Sequence, residues 1–121
     1  RIVCEYDVFT TRKLFVQLPL IVYYNSSISL DGHSLTEKGE LRKVRKQVDI
    51  SNPTTGTLVR ITVPEGLEAA LRPPILPLRW YGGDHGVQRY EPFYDIRLLS
   101  VKVDAPKGKG SGKFTVTIRD L

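Results

Sequence analysis

The 121-residue sequence predicts an all-β domain, a sandwich or barrel of roughly seven to nine short antiparallel strands. Three observations lead there. β-Branched and aromatic residues alternate with polar ones in several short runs, a spacing that turns one face of a strand to a core and the other to water. Eight prolines and ten glycines punctuate those runs at short intervals. At 40% apolar and 26% charged the chain has the composition of one folded unit, and neither a repeat nor a domain break divides residues 1–121.

The first period-two segment covers residues 2–8, and a second begins at residues 14–18. Pro19 interrupts it before residues 20–24 resume as Leu-Ile-Val-Tyr-Tyr. Proline has no N–H to give to a ladder, so this stretch is expected at an edge, at a bulge or in a strand that changes sheets. Residues 25–27 and Asp31-Gly32 read as turns around a short strand at residues 28–30.

Residues 35–47 are ambiguous. Ser34 and Glu37 resemble a helix capping box, and Leu41, Val44 and Val48 lie at helical spacing. Against that, Gly39 inside such a helix costs about 1 kcal/mol relative to alanine. We expect a loop to about Leu41 and a strand from there to Ser51, although Lys46 then falls on the apolar face.

The clearest pattern follows. A turn at residues 52–56 joins that strand to residues 58–63, where Val59, Ile61 and Val63 alternate with Arg60 and Thr62, giving a hairpin. Residues 67–71 allow one helical turn. Residues 72–77 carry Pro73, Pro74 and Pro77, so they are expected to run extended over the surface. A short strand at 78–81 and a loop at 82–86 lead to a longer strand at 93–103, with Ile96, Leu98, Leu99, Val101 and Val103 as core candidates. The broken alternation at Leu98-Leu99 suggests a bulge. After a flexible loop at 107–112, Phe114, Val116 and Ile118 alternate with Thr115, Thr117 and Arg119 in the last strand.

Composition narrows the function classes. No apolar run approaches the ~20 residues that span a bilayer, and contact with a membrane is expected only through a segment upstream of Arg1. The single cysteine, Cys4, excludes an internal disulfide and a cysteine-built zinc site; it reads as a small buried hydrophobe of the first strand. The formal charge of +5 permits attraction to nucleic acid, anionic lipid or acidic glycan. That charge is uneven: Arg42, Lys43, Arg45 and Lys46 form one cluster, and Lys107, Lys109 and Lys113 lie in a glycine-rich stretch.

The order of motifs adds a resemblance. Gly39-Glu40, then Val48-Asp49-Ile50-Ser51-Asn52-Pro53, then Val59 through Pro64-Glu65-Gly66-Leu67 form a series, closed by Val101 through Pro106-Lys107-Gly108 and Gly112-Lys113-Phe114. Over residues 39–121 this series resembles the immunoglobulin-like accessory domains of archaeal and bacterial surface proteins. The resemblance implies an immunoglobulin-like antiparallel β-sandwich in an extracytoplasmic, cell-envelope setting. It implies no reaction, and the Pro-rich stretch at 72–90 departs from the short connection usual in that family.

Chemistry-bearing motifs are sparse. His33 and His85 each sit in a turn-like loop beside one acid, Asp31 and Asp84, which falls short of the three or four ligands a metal needs. We therefore expect no metal, no cofactor and no enzyme. The glycines at 108, 110 and 112 mimic a phosphate-cradling loop but precede a strand, so they read as a hairpin tip. Trp80, Tyr81 and Tyr90, with His85 between them, are the candidates for a sugar-binding or interface surface. Arg42, Lys43, Arg45 and Lys46 are candidates for phosphate or partner binding, although such a run is more often a solvated strand edge kept from unwanted pairing by its charge. Asn25-Ser26-Ser27 is a permitted glycosylation sequon if the domain is secreted. The leading expectation is a non-catalytic interaction module offering a sheet edge and loops to a protein partner or to itself. A carbohydrate-binding module and a nucleic-acid-binding basic domain are the alternatives.

Overall fold

A computed structural model describes residues 1–23, 25–36, 40–75 and 94–121. They form ten strands: β1 (Ile2–Phe9), β2 (Phe15–Tyr23), β3 (Ser27–Leu30), β4 (His33–Ser34), β5 (Arg42–Val44), β6 (Gln47–Asn52), β7 (Thr57–Thr62), β8 (Ala69–Leu71), β9 (Tyr94–Lys102) and β10 (Lys109–Asp120). Six make one antiparallel sheet in the order β1-β10-β7-β6-β3-β4, and four make a second in the order β2-β9-β8-β5. The architecture is a β-sandwich.

Its core follows from period-two alternation. The six-stranded sheet contributes Leu30, Val48, Ile61 and Phe114, and the four-stranded sheet Leu20, Val22, Val44, Ala69, Leu71, Leu99 and Val101. Val48, Leu71, Leu99 and Val101 are fully buried. Each such side chain stabilises the fold by roughly 1.5–3 kcal/mol relative to exposure. Among the described residues the larger sheet is left open along one side: Ile118 shares the inner row of Val59 and Ile50 yet is 58% exposed. There, a hollow of about 510 Å³ opens between Leu18, Pro19 and Ile21 of β2 and Val59, Val116 and Ile118.

The stretch expected as one strand at 41–51 is two, β5 and β6, in different sheets. Only Arg45 and Lys46 lie between them, and this crossover explains the misplaced lysine. Val44 and Val48 both face the core, while the bend at 45–46 swings Lys46 out to solvent. Asp31 holds the bend. Its carboxylate accepts the backbone N–H groups of Arg45 (2.8 Å), Lys46 (2.7 Å) and Gln47 (3.0 Å). The same residue, at φ 51°, forms with Gly32 at φ 86° the two-residue turn of the β3–β4 hairpin. Asp-Gly suits a turn with two positive φ angles.

Several expectations are corrected. β9 runs without a bulge against β2, and its alternation breaks for a different reason: Arg97 faces the core while Ile96 and Leu98 face outward. The bulge is on the opposite side, where Arg72 bonds to Leu98 and Ile75 to Ile96, so that Pro73 and Pro74 both oppose Arg97. Two residues without an N–H cannot continue the ladder, and the Arg97 Nε donates to the freed carbonyl of Arg72 at 3.0 Å. Residues 69–71, allowed one helical turn, are strand β8. Pro19 sits inside β2, an edge strand, as one of the three readings required.

The glycines near the C-terminal strand are packing residues. Gly108, at φ 76°, makes the turn between sheets, whereas Gly110 and Gly112 lie within β10 opposite Val8 and Tyr6 of β1. The expected hairpin tip is therefore a paired strand. A Cβ at Gly112 would come within 2.6 Å of the Tyr6 ring Cζ, and one at Gly110 within 2.7 Å of the Asp104 carbonyl oxygen. Tyr6 packs on Phe114 with ring centroids 6.1 Å apart.

The Tyr6 hydroxyl is buried without a hydrogen-bond partner among the described residues, and burial pushes its pKa above the usual tyrosine value. Tyr6→Phe is therefore expected to leave stability unchanged or raise it by about 1 kcal/mol, read as the urea midpoint. Because ionisation is harder in the folded state, the wild-type protein should lose stability as pH rises above about 10, and the variant less.

Candidate functional site

The basic cluster read from the sequence is divided by the β5–β6 crossover. Arg42 opens β5 and pairs with Glu40 at 3.3 Å. Lys43 stands on the outer face of β5, in register with Ala70 of β8, which in turn opposes Ser100 of β9. Arg45 and Lys46 belong to the bend that Asp31 holds. Of the four, Lys43 reaches the feature with the most pronounced chemistry.

That feature is a hollow of about 340 Å³ on the outer face of the four-stranded sheet. The strand register builds it. Ala70 and Ser100 are small and make a floor, while long cationic side chains on neighbouring positions make the walls: Lys13, Lys43, Arg72 and Lys102. One acid, Glu68, lies among them, with its carboxylate 3.9 Å from the Lys102 ammonium.

Arg72 is the positioned member. Its Nε donates to Ser100 Oγ at 3.0 Å, and its guanidinium carbon lies 5.9 Å from the centre of the Phe15 ring. A cation over an aromatic face is attracted by the ring quadrupole. Gln17 donates to the same Ser100 hydroxyl at 3.2 Å. Four cations around one carboxylate give a concave surface that attracts anionic groups, and its planar guanidinium is presented in a fixed orientation.

Lys13, Arg72 and Lys102 are 89 residues apart along the chain from first to last, 102 − 13, so no sequence cluster announces them. The one available sign was Ser100, a small polar residue between Leu99 and Val101.

Asn25, the sequon residue, is engaged at the end of β2. Its amide donates to Thr54 Oγ1, and its Oδ1 accepts from Asn52 Nδ2 at 2.9 Å. Asn52, itself buried, caps the β6–β7 turn by accepting from the backbone of Thr54 and Thr55. A glycan on Asn25 would displace the bond to Thr54. Trp80, Tyr81, His85 and Tyr90 lie outside the described residues. His33 is exposed on β4, and Cys4 faces inward from β1 at the margin of the core. Among the described residues, no group of three or more His, Cys, Asp or Glu side chains could hold a metal ion. Comparisons with protein-family models, with curated proteins and with solved structures returned no match for this chain.

Proposed function

We propose that this domain is a non-catalytic protein-interaction module that docks an acidic segment of a partner into the basic hollow beside β2. The convergence of Lys13, Lys43, Arg72 and Lys102 around one small-residue floor carries this reading. A second observation favours a protein over a polyanion. The outward row of β2 runs from Phe15 at the hollow to Ile21 and Tyr23 at the uncovered side of the core, and all three are more than half exposed. A partner carrying acids followed by apolar side chains complements that row; a nucleic-acid backbone complements only its first part.

The likeness of the Asn52-Pro53 and Pro64-Glu65-Gly66 corners to immunoglobulin-like accessory domains supports placing the module in a prokaryotic cell-envelope or surface assembly. Recovery of the protein in the cytoplasmic fraction of its source cells would remove that setting and leave the docking mode standing.

An oligoglutamate peptide should bind in a salt-dependent manner, and Lys43→Glu or Lys13→Glu should weaken it by roughly tenfold each at low ionic strength. Lys113→Glu, on the other sheet, should not. Fluorescence anisotropy reads both. Equal weakening by all three variants, or tighter binding of a single-stranded oligonucleotide or a neutral glycan than of the peptide, would sink the proposal.

A further inference from the structure

A second site, independent of the hollow, lies between the sheets at the end of the sandwich where β2 turns into β3. Arg97 points inward from β9 and is 2% exposed. Its Nε donates to the Arg72 carbonyl, but its Nη2 is buried with no partner among the described residues. Asp95 is on the same inner face, two residues before it, and lines the same cleft of about 260 Å³.

The two charges feel each other without touching. Burial draws the Arg97 guanidinium below its ordinary pKa and the Asp95 charge opposes that shift, yet neither a hydrogen bond nor an ion pair joins the two side chains. A buried cation with an idle donor and a half-buried carboxylate, without a hydrogen bond among the described residues, thus line one cleft. Leaving the buried guanidinium N–H unpaired is unfavourable, so a molecule that gives Arg97 an acceptor and offers the half-buried Asp95 a donor is stabilised there.

Three hydroxyls add to the lining: Ser26, Ser27 and Ser34. Ser26 already accepts from Asn52 Nδ2 at 3.1 Å, which leaves its proton to give. The volume is below the roughly 300 Å³ at which pockets for drug-sized ligands begin, so the occupant is small.

We propose that this cleft binds a small zwitterion, a free α-amino acid or a close analogue, with its carboxylate on Arg97 and the serine hydroxyls and its ammonium on Asp95. The arrangement selects against the two simpler ions. An isolated carboxylate would gain Arg97 but face Asp95, and an amine would meet the reverse.

The test is a titration of the ¹⁵N-labelled full chain, followed by amide shifts, with glycine, alanine and serine as probes and with acetate, methylammonium, glycinamide and N-acetylglycine as single-charge controls. At least one amino acid should give saturable shifts at Ser27, Ser34 and Arg97, and each control should bind about tenfold more weakly or worse. Arg97→Gln should abolish the response. Should that variant fail to fold, Asp95→Asn serves in its place, since Asp95 has no hydrogen bond to lose, and it should weaken the amino acid by about tenfold while leaving acetate no weaker. Three results overturn the proposal: no saturable shift with any amino acid, which leaves water as the occupant; any of the four single-charge controls binding as tightly as the best amino acid; or Asp95→Asn binding it unchanged. None of these outcomes bears on the oligoglutamate experiment.

Discussion

Asp31→Ala is expected to lower the unfolding free energy by about 2–4 kcal/mol, seen as a shift of the urea midpoint at pH 7. One carboxylate closes three backbone N–H groups at the one place, among the described residues, where the chain steps between sheets with just two intervening residues. Charged acceptors make the stronger hydrogen bonds, and alanine supplies no acceptor for any of the three. Asp31→Asn should cost less, because asparagine keeps one acceptor oxygen and tolerates the positive φ. Asp31→Gly relieves the φ of 51° but loses the bonds, so it should resemble alanine. An alanine variant with an unchanged midpoint would falsify the clamp.

The same residue sets an acid limit. Burial acts to raise the Asp31 pKa, but the three N–H groups and the Arg45 charge outweigh it, and the net shift is downward. A carboxylate with a depressed folded pKa stabilises fully above its unfolded value of about 3.9 and loses that contribution as pH falls through the folded value. Wild type should therefore lose more stability than Asp31→Asn between about pH 5 and the acid end of the transition.

Gly112→Ala is expected to cost about 2–3 kcal/mol through overpacking. The added methyl meets the Tyr6 ring and hydroxyl, and the ring can yield only by leaving Phe114. Denaturation of Gly112→Ala, Tyr6→Leu and the double variant forms a cycle. The alanine penalty should shrink once the ring is gone, whereas additive penalties would show that the methyl clashes with something else.

The period-two runs around Val59–Val63 and Phe114–Ile118 made the strands legible, because each keeps its apolar side chains in one row on the inner face of the sheet. Asp31-Gly32 and Asn52–Gly56 did the same for two turns, since their residue types match the φ angles required. The division of residues 41–51 was not readable. Lys46 signalled a phase error, but the cause was Asp31, whose reach to the bend is a tertiary contact. Arg97 misled in a similar way: an inward arginine is legible only once Pro73 and Pro74 are known to face it. Of the candidate site, Lys43 alone was foreseen, because Lys13, Arg72 and Lys102 meet it only through the register of four strands.

The strand edges bear on how the protein behaves at high concentration. A bare edge is a template on which fibrils grow. The β4 edge is two residues long, β5 is three residues long with Arg42 and Lys43, and β2 is interrupted by Pro19. Among the described strands β1 alone leaves an uninterrupted edge of eight residues, and its outward row is Val3, Glu5, Asp7 and Phe9. Two copies meeting antiparallel about Tyr6 would set Glu5 of each against Asp7 of the other, so the longest edge repels its own kind. Concentrated solutions should stay free of fibrils, and removing both charges with Glu5→Gln and Asp7→Asn is the change under which seeding would begin.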